Sequence, residues 1–262
     1  MPRFAANLTM LFNDVPFMDR FAAARKAGFD GVEYLFPYAY HREEIAERLK
    51  ANRLVQVLHN LPAGDWANGE RGIACIPGRE GEFRDGVGTA IEYATALGCR
   101  QVNCLVGITP HDADPARIRE TLTRNLQFAA ASLRTAGIRL LIEPCNTRDI
   151  TGFHLNRTQQ AIDIIEEVGS DNLFLQYDIY HMQIMEGDLA PTIERHLASI
   201  RHMQLADTPG RHEPGTGEIN YSFLLKFVDA LGYSGWIGCE YKPAGTTIGG
   251  LGWMQAFHQT TA

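Results

Sequence analysis

Short strand-like runs alternate with longer stretches of helical spacing along the whole chain, and the alternation never breaks into a block of strands or a block of helices. A chain written that way builds strand-helix-strand units, with the strands parallel and the helices covering the sheet. The strand segments are 4–11, 31–36, 54–59, 101–106, 139–143, 173–178, 202–206 and 236–240. Pro16 opens the first helix, which ends at Ala27-Gly28, and Pro115 follows an Asp114 N-cap in the fourth. Gly98, Gly137, Gly169 and Gly232 stand just past helical stretches, where a left-handed turn favours glycine. Eight units in 262 residues allow about 33 residues each, the size of a (β/α)8 barrel of about 250 residues. A doubly wound sheet is the competing architecture, but no glycine fingerprint of a dinucleotide site follows the first strand. The expected fold is α/β, one (β/α)8 TIM barrel occupying residues 1–262 as a single domain.

Composition narrows the class of partner. At 45% hydrophobic and 21% charged this is an ordinary globular sequence, with no linker, charge run or low-complexity stretch to divide it. Its 24 Lys+Arg against 31 Asp+Glu leave a formal charge of −7, the wrong sign for a protein whose main partner is a nucleic-acid backbone. Cys75, Cys99, Cys104, Cys145 and Cys239 are scattered, with no Cys-x-x-Cys pair, so neither a disulfide framework nor a zinc knuckle is implied. The opening segment lacks the uncharged stretch of a signal peptide, and no run of about 18 apolar residues follows. The expectation is a cytoplasmic protein acting on a small molecule, without nucleic acid or membrane as partner; a homo-oligomer is left open.

In a parallel barrel the chemistry sits at the carboxyl ends of the strands. The fifth strand ends Leu141-Ile142-Glu143-Pro144, the sixth ends Gln176-Tyr177-Asp178, and the eighth ends Gly238-Cys239-Glu240. Between them the seventh contributes Gln204, whose amide carbonyl is a neutral hard ligand. Any one of these acids alone is an ordinary solvated strand end or helix cap. Four oxygen donors on consecutive strands are another matter, because three carboxylates at one mouth repel one another unless a cation or protons intervene. Hard oxygen donors suit Mg²⁺ first and Mn²⁺ second.

Other residues near the expected mouth are weaker candidates. His181 lies three residues past Asp178, placed to donate a hydrogen bond to a substrate oxygen. Arg211, in the turn-rich Asp207-Thr208-Pro209-Gly210-Arg211, carries a fork that fits a carboxylate. Lys242 is a second anion-binding candidate, and His59 closes the third strand. Glu33 reads as a buried partner for a cation, and Cys145 is the one cysteine close to the mouth. His41, His111, His154, His196, His202 and His258 have no metal-ligand spacing and read as surface or packing residues. Two long loops, 60–80 with Trp66 and Arg71 and 207–220, follow the third and seventh strands, and the first has the length of a lid.

At these residues the chain resembles the hydroxypyruvate isomerase family of the xylose-isomerase-like barrels. The resemblance covers nearly the whole sequence. It is carried by Arg3-Phe4-Ala5-Ala6-Asn7-Leu8, by the loop from His59-Asn60-Leu61-Pro62-Ala63-Gly64-Asp65-Trp66 to Glu80, and by Tyr177-Asp178-Ile179-Tyr180-His181-Met182-Gln183. Glu213-Pro214-Gly215-Thr216-Gly217-Glu218-Ile219-Asn220-Tyr221 and Gly235-Trp236-Ile237-Gly238-Cys239-Glu240-Tyr241-Lys242-Pro243 complete it. The resemblance implies Glu143 and Glu240 as an acid/base pair, and a divalent cation on Glu143, Asp178, Gln204 and Glu240. In the wider sugar isomerase and epimerase group, to which the chain is also similar, the positions of His181 and Arg211 hold substrate oxygens. Many of those relatives have a histidine where this chain has Gln204.

What the resemblance implies is interconversion of hydroxypyruvate and tartronate semialdehyde through an enediolate, with Glu240 removing a proton from the hydroxymethyl carbon and Glu143 returning one to its neighbour. Arg211, Lys242 or both hold the substrate carboxylate. The alternatives are a four-carbon 2-oxo-tetronate or related sugar-acid isomerase or epimerase, a metal-dependent nuclease, and a non-catalytic binding barrel. The −7 charge and scattered histidines speak against the nuclease.

Overall fold

The computed structural model describes residues 2–258; Met1, residues 259–262 and the side chain of His258 lie outside the described residues. Eight parallel strands close into a barrel in chain order: β1 (Arg3–Asn7), β2 (Gly31–Glu33), β3 (Val55–Asn60), β4 (Gln101–Cys104), β5 (Arg139–Ile142), β6 (Leu173–Asp178), β7 (Ile200–Leu205) and β8 (Trp236–Cys239). The closing seam joins β8 to β1, with Phe4 opposite Ile237 and Ala6 opposite Cys239. The helices are α1 (Phe17–Lys26), α2 (Arg42–Asn52), α3 (Glu80–Leu97), α4 (Pro115–Thr135), α5 (Thr158–Val168), α6 (Ile179–Met185), α7 (Leu189–His196), α8 (Tyr221–Ala230) and α9 (Gln255–His258). Two short helices, α6 and α7, share the crossover from β6 to β7, and a 3₁₀ turn precedes α9.

Local chemistry accounts for where these elements start and stop. Asp114 accepts the Ala116 N–H, and Pro115 occupies the first turn of α4, where no backbone donor is needed. Ile118, Leu122, Leu126, Ala129 and Leu133 then form the buried stripe of that helix. Gly98 and Gly169 close α3 and α5 in the left-handed conformation, at φ 65° in both cases. β1 and β2 are shorter than their apolar runs: Met10 and Leu11 both donate back to the Asn7 carbonyl, which turns the chain out of the barrel.

Side chains alternate along each strand, so every strand has one set facing the barrel axis and one facing the helices. The larger apolar core lies between barrel and helices and includes Leu140, Ile142, Leu175, Leu126 and Ala130. Ala5, Val57, Leu58 and Leu141, with Phe174 and Trp236, form a smaller apolar plug inside the barrel. Above that plug the interior is polar, and the site lies there.

Candidate active site

Glu143 follows the last residue of β5, Asp178 ends β6, and Glu240 follows β8, so three strands deliver three buried carboxylates to the same mouth. One oxygen from each, together with a ring nitrogen of His181, lie within 4.8 Å of one another. Asn103 on β4 donates to Glu143 Oε2 at 2.8 Å, and Asn7 on β1 donates to Glu240 Oε1 at 3.2 Å. Asp178 Oδ1 accepts the N–H groups of Tyr180 (2.8 Å) and His181 (3.3 Å), capping α6. Its other oxygen, Oδ2, is buried without any hydrogen-bond partner. A buried, unpaired carboxylate oxygen beside two further carboxylates is the donor set a hard divalent cation requires.

His181 is oriented by the backbone. The Asn146 N–H donates to its Nδ1 at 3.1 Å, so the proton of the neutral ring sits on Nε2, 3.6 Å from Asp178 Oδ2. Burial, reinforced by the Arg211 charge, holds its pKa well below the usual imidazole range. His181 is thus a neutral donor aimed at the carboxylate cluster.

Arg211 enters from the loop after β7. Its backbone is left-handed, φ 58°, and its carbonyl accepts the Lys242 N–H at 2.8 Å. The guanidinium lies 5.0 Å from the Tyr180 ring centre, donates to Glu240 Oε2 at 2.5 Å, and stands 3.8 Å from both Asp178 and Asp149. Burial pushes the Glu143 carboxyl well above its ordinary value, and the Glu240 and Asp178 charges push it further. Burial also raises Glu240, to about 8, against the opposing pull of Arg211. The two glutamates are therefore unequal: the one beside the guanidinium ionises more readily.

A xylose isomerase-like TIM barrel model matches residues 21–257. The chain belongs to the xylose isomerase-like TIM barrel family. Within it, the chain is 56% identical to hydroxypyruvate isomerase of Escherichia coli, over 98% of this chain and all of that one. It is 51% identical to 2-oxo-tetronate isomerase of Cupriavidus necator, over 98% and 99%. A Brucella melitensis crystal structure described as an AP endonuclease of family 2 superposes with a TM-score of 0.96 at 47% identity, covering 98% of this chain and 99% of that one.

The barrel brings Glu143, Asp178, His181, Arg211 and Glu240 together, with His181 beside the carboxylates as a hydrogen-bond donor. Gln204 lines the same small cavity as Glu143 and Glu240, with its carbonyl accepting from Gln176 Nε2 at 2.6 Å and its own Nε2 donating to Glu33 at 2.8 Å. Lys242 is a correction. Its side chain is exposed, and its place in the site is limited to backbone bonds that hold the Arg211 loop and His212. The strand has ended at Cys239, so the alternation that would put Lys242 on the same face as Glu240 no longer applies.

His59 is a second correction. Leu58 and Asn60 face the central cavity, which turns His59 outward, against the Tyr38 ring (6.1 Å) and the Ala90 backbone. Burial pushes its pKa down to about 4. The unfolded chain therefore takes up a proton near pH 6.5 that the folded chain refuses, so stability present above about pH 6.5 is lost as pH falls toward about 4, to the extent of roughly 3 kcal/mol. His59→Leu is expected to move the acid-unfolding midpoint to lower pH, measured by circular dichroism; an unchanged midpoint would show that His59 does not limit acid stability.

His202, read as a surface or packing residue, is buried, and its Nε2 meets Glu33 Oε2 at 2.7 Å. Glu33 is buried, and its carboxylate is met by His202 and by the side-chain amides of Asn7 and Gln204. Cys145 is buried against the Glu143 carbonyl, and burial holds its thiol well above the ordinary range, in the protonated state. Asn7, Asn103, Asn146, Asp149 and Tyr180 were missed by sequence reasoning. The available signal was weak: Asn7 follows the apolar Phe4-Ala5-Ala6, and Asn103 stands between Val102 and Cys104 in a strand that also carries Gln101. The loop 60–80 is pinned at its base, with Trp66 on the Phe36 edge at 5.0 Å and Arg71 stacked over Trp66 at 4.0 Å. Gly72 (φ 110°) approaches the Leu105 carbonyl so closely that any Cβ would collide with it.

Proposed function

We propose that this chain is a hydroxypyruvate isomerase, interconverting hydroxypyruvate and tartronate semialdehyde. The observation that carries the reading is the close approach of Glu143, Asp178, His181 and Glu240 at the barrel mouth, in a chain 56% identical end to end to a hydroxypyruvate isomerase. The reaction moves one proton between adjacent carbons and one between their oxygens. A C–H beside a ketone is a weak acid, so the site must place a base on one carbon and an acid on the next.

Glu240, held toward its ionised form by Arg211, acts as base at the hydroxymethyl carbon. Glu143, pushed up by burial and by the neighbouring carboxylates, carries the proton delivered to the neighbouring carbon, and the intermediate between the two transfers is an enediolate. The forward turnover leaves Glu240 protonated and Glu143 ionised, and solvent resets both; the hydroxyl proton passes from the terminal oxygen to its neighbour. His181 Nε2–H donates to a substrate oxygen, and Arg211 keeps one arm of its fork on Glu240 while the other meets the substrate carboxylate. A divalent cation, Mg²⁺ first and Mn²⁺ second, held by Glu143, Asp178, Gln204 and Glu240, supplies Lewis-acid polarisation of the substrate carbonyl when bound.

A second reading has one specific support, the 51% identity to a 2-oxo-tetronate isomerase: the same acids working on a four-carbon substrate. Steady-state rates of purified protein with hydroxypyruvate and with 2-oxo-tetronate decide between them. A higher kcat/KM on the three-carbon acid is expected. A preference for the four-carbon acid overturns the first reading in favour of the second, and no turnover of either, with no exchange of substrate carbon-bound hydrogen in deuterated water, leaves only a binding barrel. Among the described residues no helix is long and apolar enough to cross a membrane, and the five buried free cysteines suit a reducing cytoplasm.

A further inference from the structure

The opposite end of the barrel has an unusual lining. In most such barrels the interior layers are filled by branched aliphatic side chains. Here the alternation that points Asn7, Asn60, Asn103, Glu143 and Glu240 inward at the mouth also points Arg3, Gln56, Gln101, Arg139 and Trp236 inward at the floor. Arg139 stands opposite Gln101 in the β4–β5 register, and its N–H donates to the Arg100 carbonyl at 2.9 Å. Together with Arg100 and Arg201 they line a cavity of about 630 Å³, to which four arginines and no carboxylate contribute. That volume lies within the ordinary range for small-ligand sites, about 300 to 1,000 Å³.

Two of these arginines are accounted for by the fold. Arg3 donates to the Ser234 carbonyl and lies over Trp236, while Arg201 donates to the Ala198 and Ile200 carbonyls and lies over Phe174. Arg100 and Arg139 are exposed at the cavity and have neither an ion pair nor a hydrogen bond from their side chains among the described residues, although the chain as a whole carries a charge of −7. Gln101 is 6% exposed and its amide likewise has no protein partner, and Gln56, 3% exposed, keeps an unpaired carbonyl oxygen. Polar groups sunk that deep are ordinarily satisfied. Unpaired guanidiniums lining one cavity with the free Gln101 amide, and with no carboxylate among them, match the oxygens of an anion that carries more than one charge, whereas the Gln56 amide nitrogen is already bonded to the Leu58 carbonyl.

We infer that the floor of the barrel is a second binding site, for a compact multivalent oxyanion such as a phosphate ester or a dicarboxylate. The apolar plug of Ala5, Val57, Leu58 and Leu141 separates it from the carboxylate cluster at the mouth, so the inference does not depend on the reaction proposed there.

Titration calorimetry of the full chain with inorganic phosphate and with succinate tests it at low ionic strength. Saturable binding of one anion per chain is expected, with a dissociation constant of about 1 mM or tighter, weakening between about 20 and about 200 mM salt. Arg100→Gln and Arg139→Gln are each expected to weaken it about tenfold, whereas Arg211→Gln, at the mouth, leaves it in place. Turnover of hydroxypyruvate by the two floor variants is expected to stay within about twofold of the parent, and their thermal unfolding reports whether they fold. Tighter binding of phosphate assigns a phosphate ester, and tighter binding of succinate a dicarboxylate. Absence of saturable binding, or binding that survives both floor substitutions and disappears with Arg211→Gln, overturns the inference while leaving the mouth reading intact.

Discussion

Glu240→Gln is expected to lower turnover of hydroxypyruvate by at least about 10³-fold and to abolish exchange of the hydroxymethyl hydrogens with deuterated solvent. The amide keeps the shape of the carboxylate and cannot take the proton. Glu143→Gln is expected to lose turnover to a similar degree while retaining some of that exchange, because Glu240 still removes the proton and only its delivery to the neighbouring carbon fails. The two variants thus separate base from acid, which kcat alone does not. Both are expected to fold. Each removes a buried carboxyl whose ionised form the site disfavours, so the metal-free variants should be at least as stable as the parent near pH 8 by thermal unfolding. Near-normal turnover in either variant removes that residue from the acid/base pair.

The second large effect concerns the cation and pH together. Folding raises the carboxyl of Glu240 to about 8 and that of Glu143 well above its ordinary value, so the metal-free protein favours their protonated forms. The stability they contribute is complete below about pH 4.5, the unfolded value, and is lost as pH rises through about 8. A divalent cation favours the ionised forms and competes with those protons, so its binding strengthens over the same window. Saturating Mg²⁺ is expected to raise the unfolding temperature of the chelated protein by roughly 10 °C near pH 8, and by clearly less at pH 6, with activity restored in parallel. A Mg²⁺ shift of the same size at both pH values would show that these carboxyls are not the ligands; no shift and no loss of activity on chelation would remove the cation from the site.

Much of this arrangement was legible before any coordinates. The alternation of elements, the Asp114-Pro115 start of α4 and the glycines that close α3 and α5 are local signals, and local backbone preferences carry them. Glu143, Asp178 and Glu240 were readable for a related reason: an acid at the end of an apolar run is a strand terminus, and barrel closure sends every strand terminus to one rim. The failures are failures of parity. β3 runs on to Asn60, so His59 falls on the helix-facing side, and β8 stops at Cys239, so Lys242 escapes the alternation altogether. A boundary displaced by one residue is enough to turn a side chain to the other face.

The amide network around the acids lay beyond reach for a different reason. Asn7 meets Glu240 across a sequence separation of 233, and His202 meets Glu33 across 169. No periodicity in one segment reports on another so far away. The amino-acid order alone determined how many strands there are and which of them end in a carboxylate, because those properties belong to neighbours along the chain. Closure and tilt of the barrel decided that the carboxyls come within a few ångströms, that Asn146 sets the His181 tautomer, and that arginines gather at the far end, because only closure brings distant strands into contact.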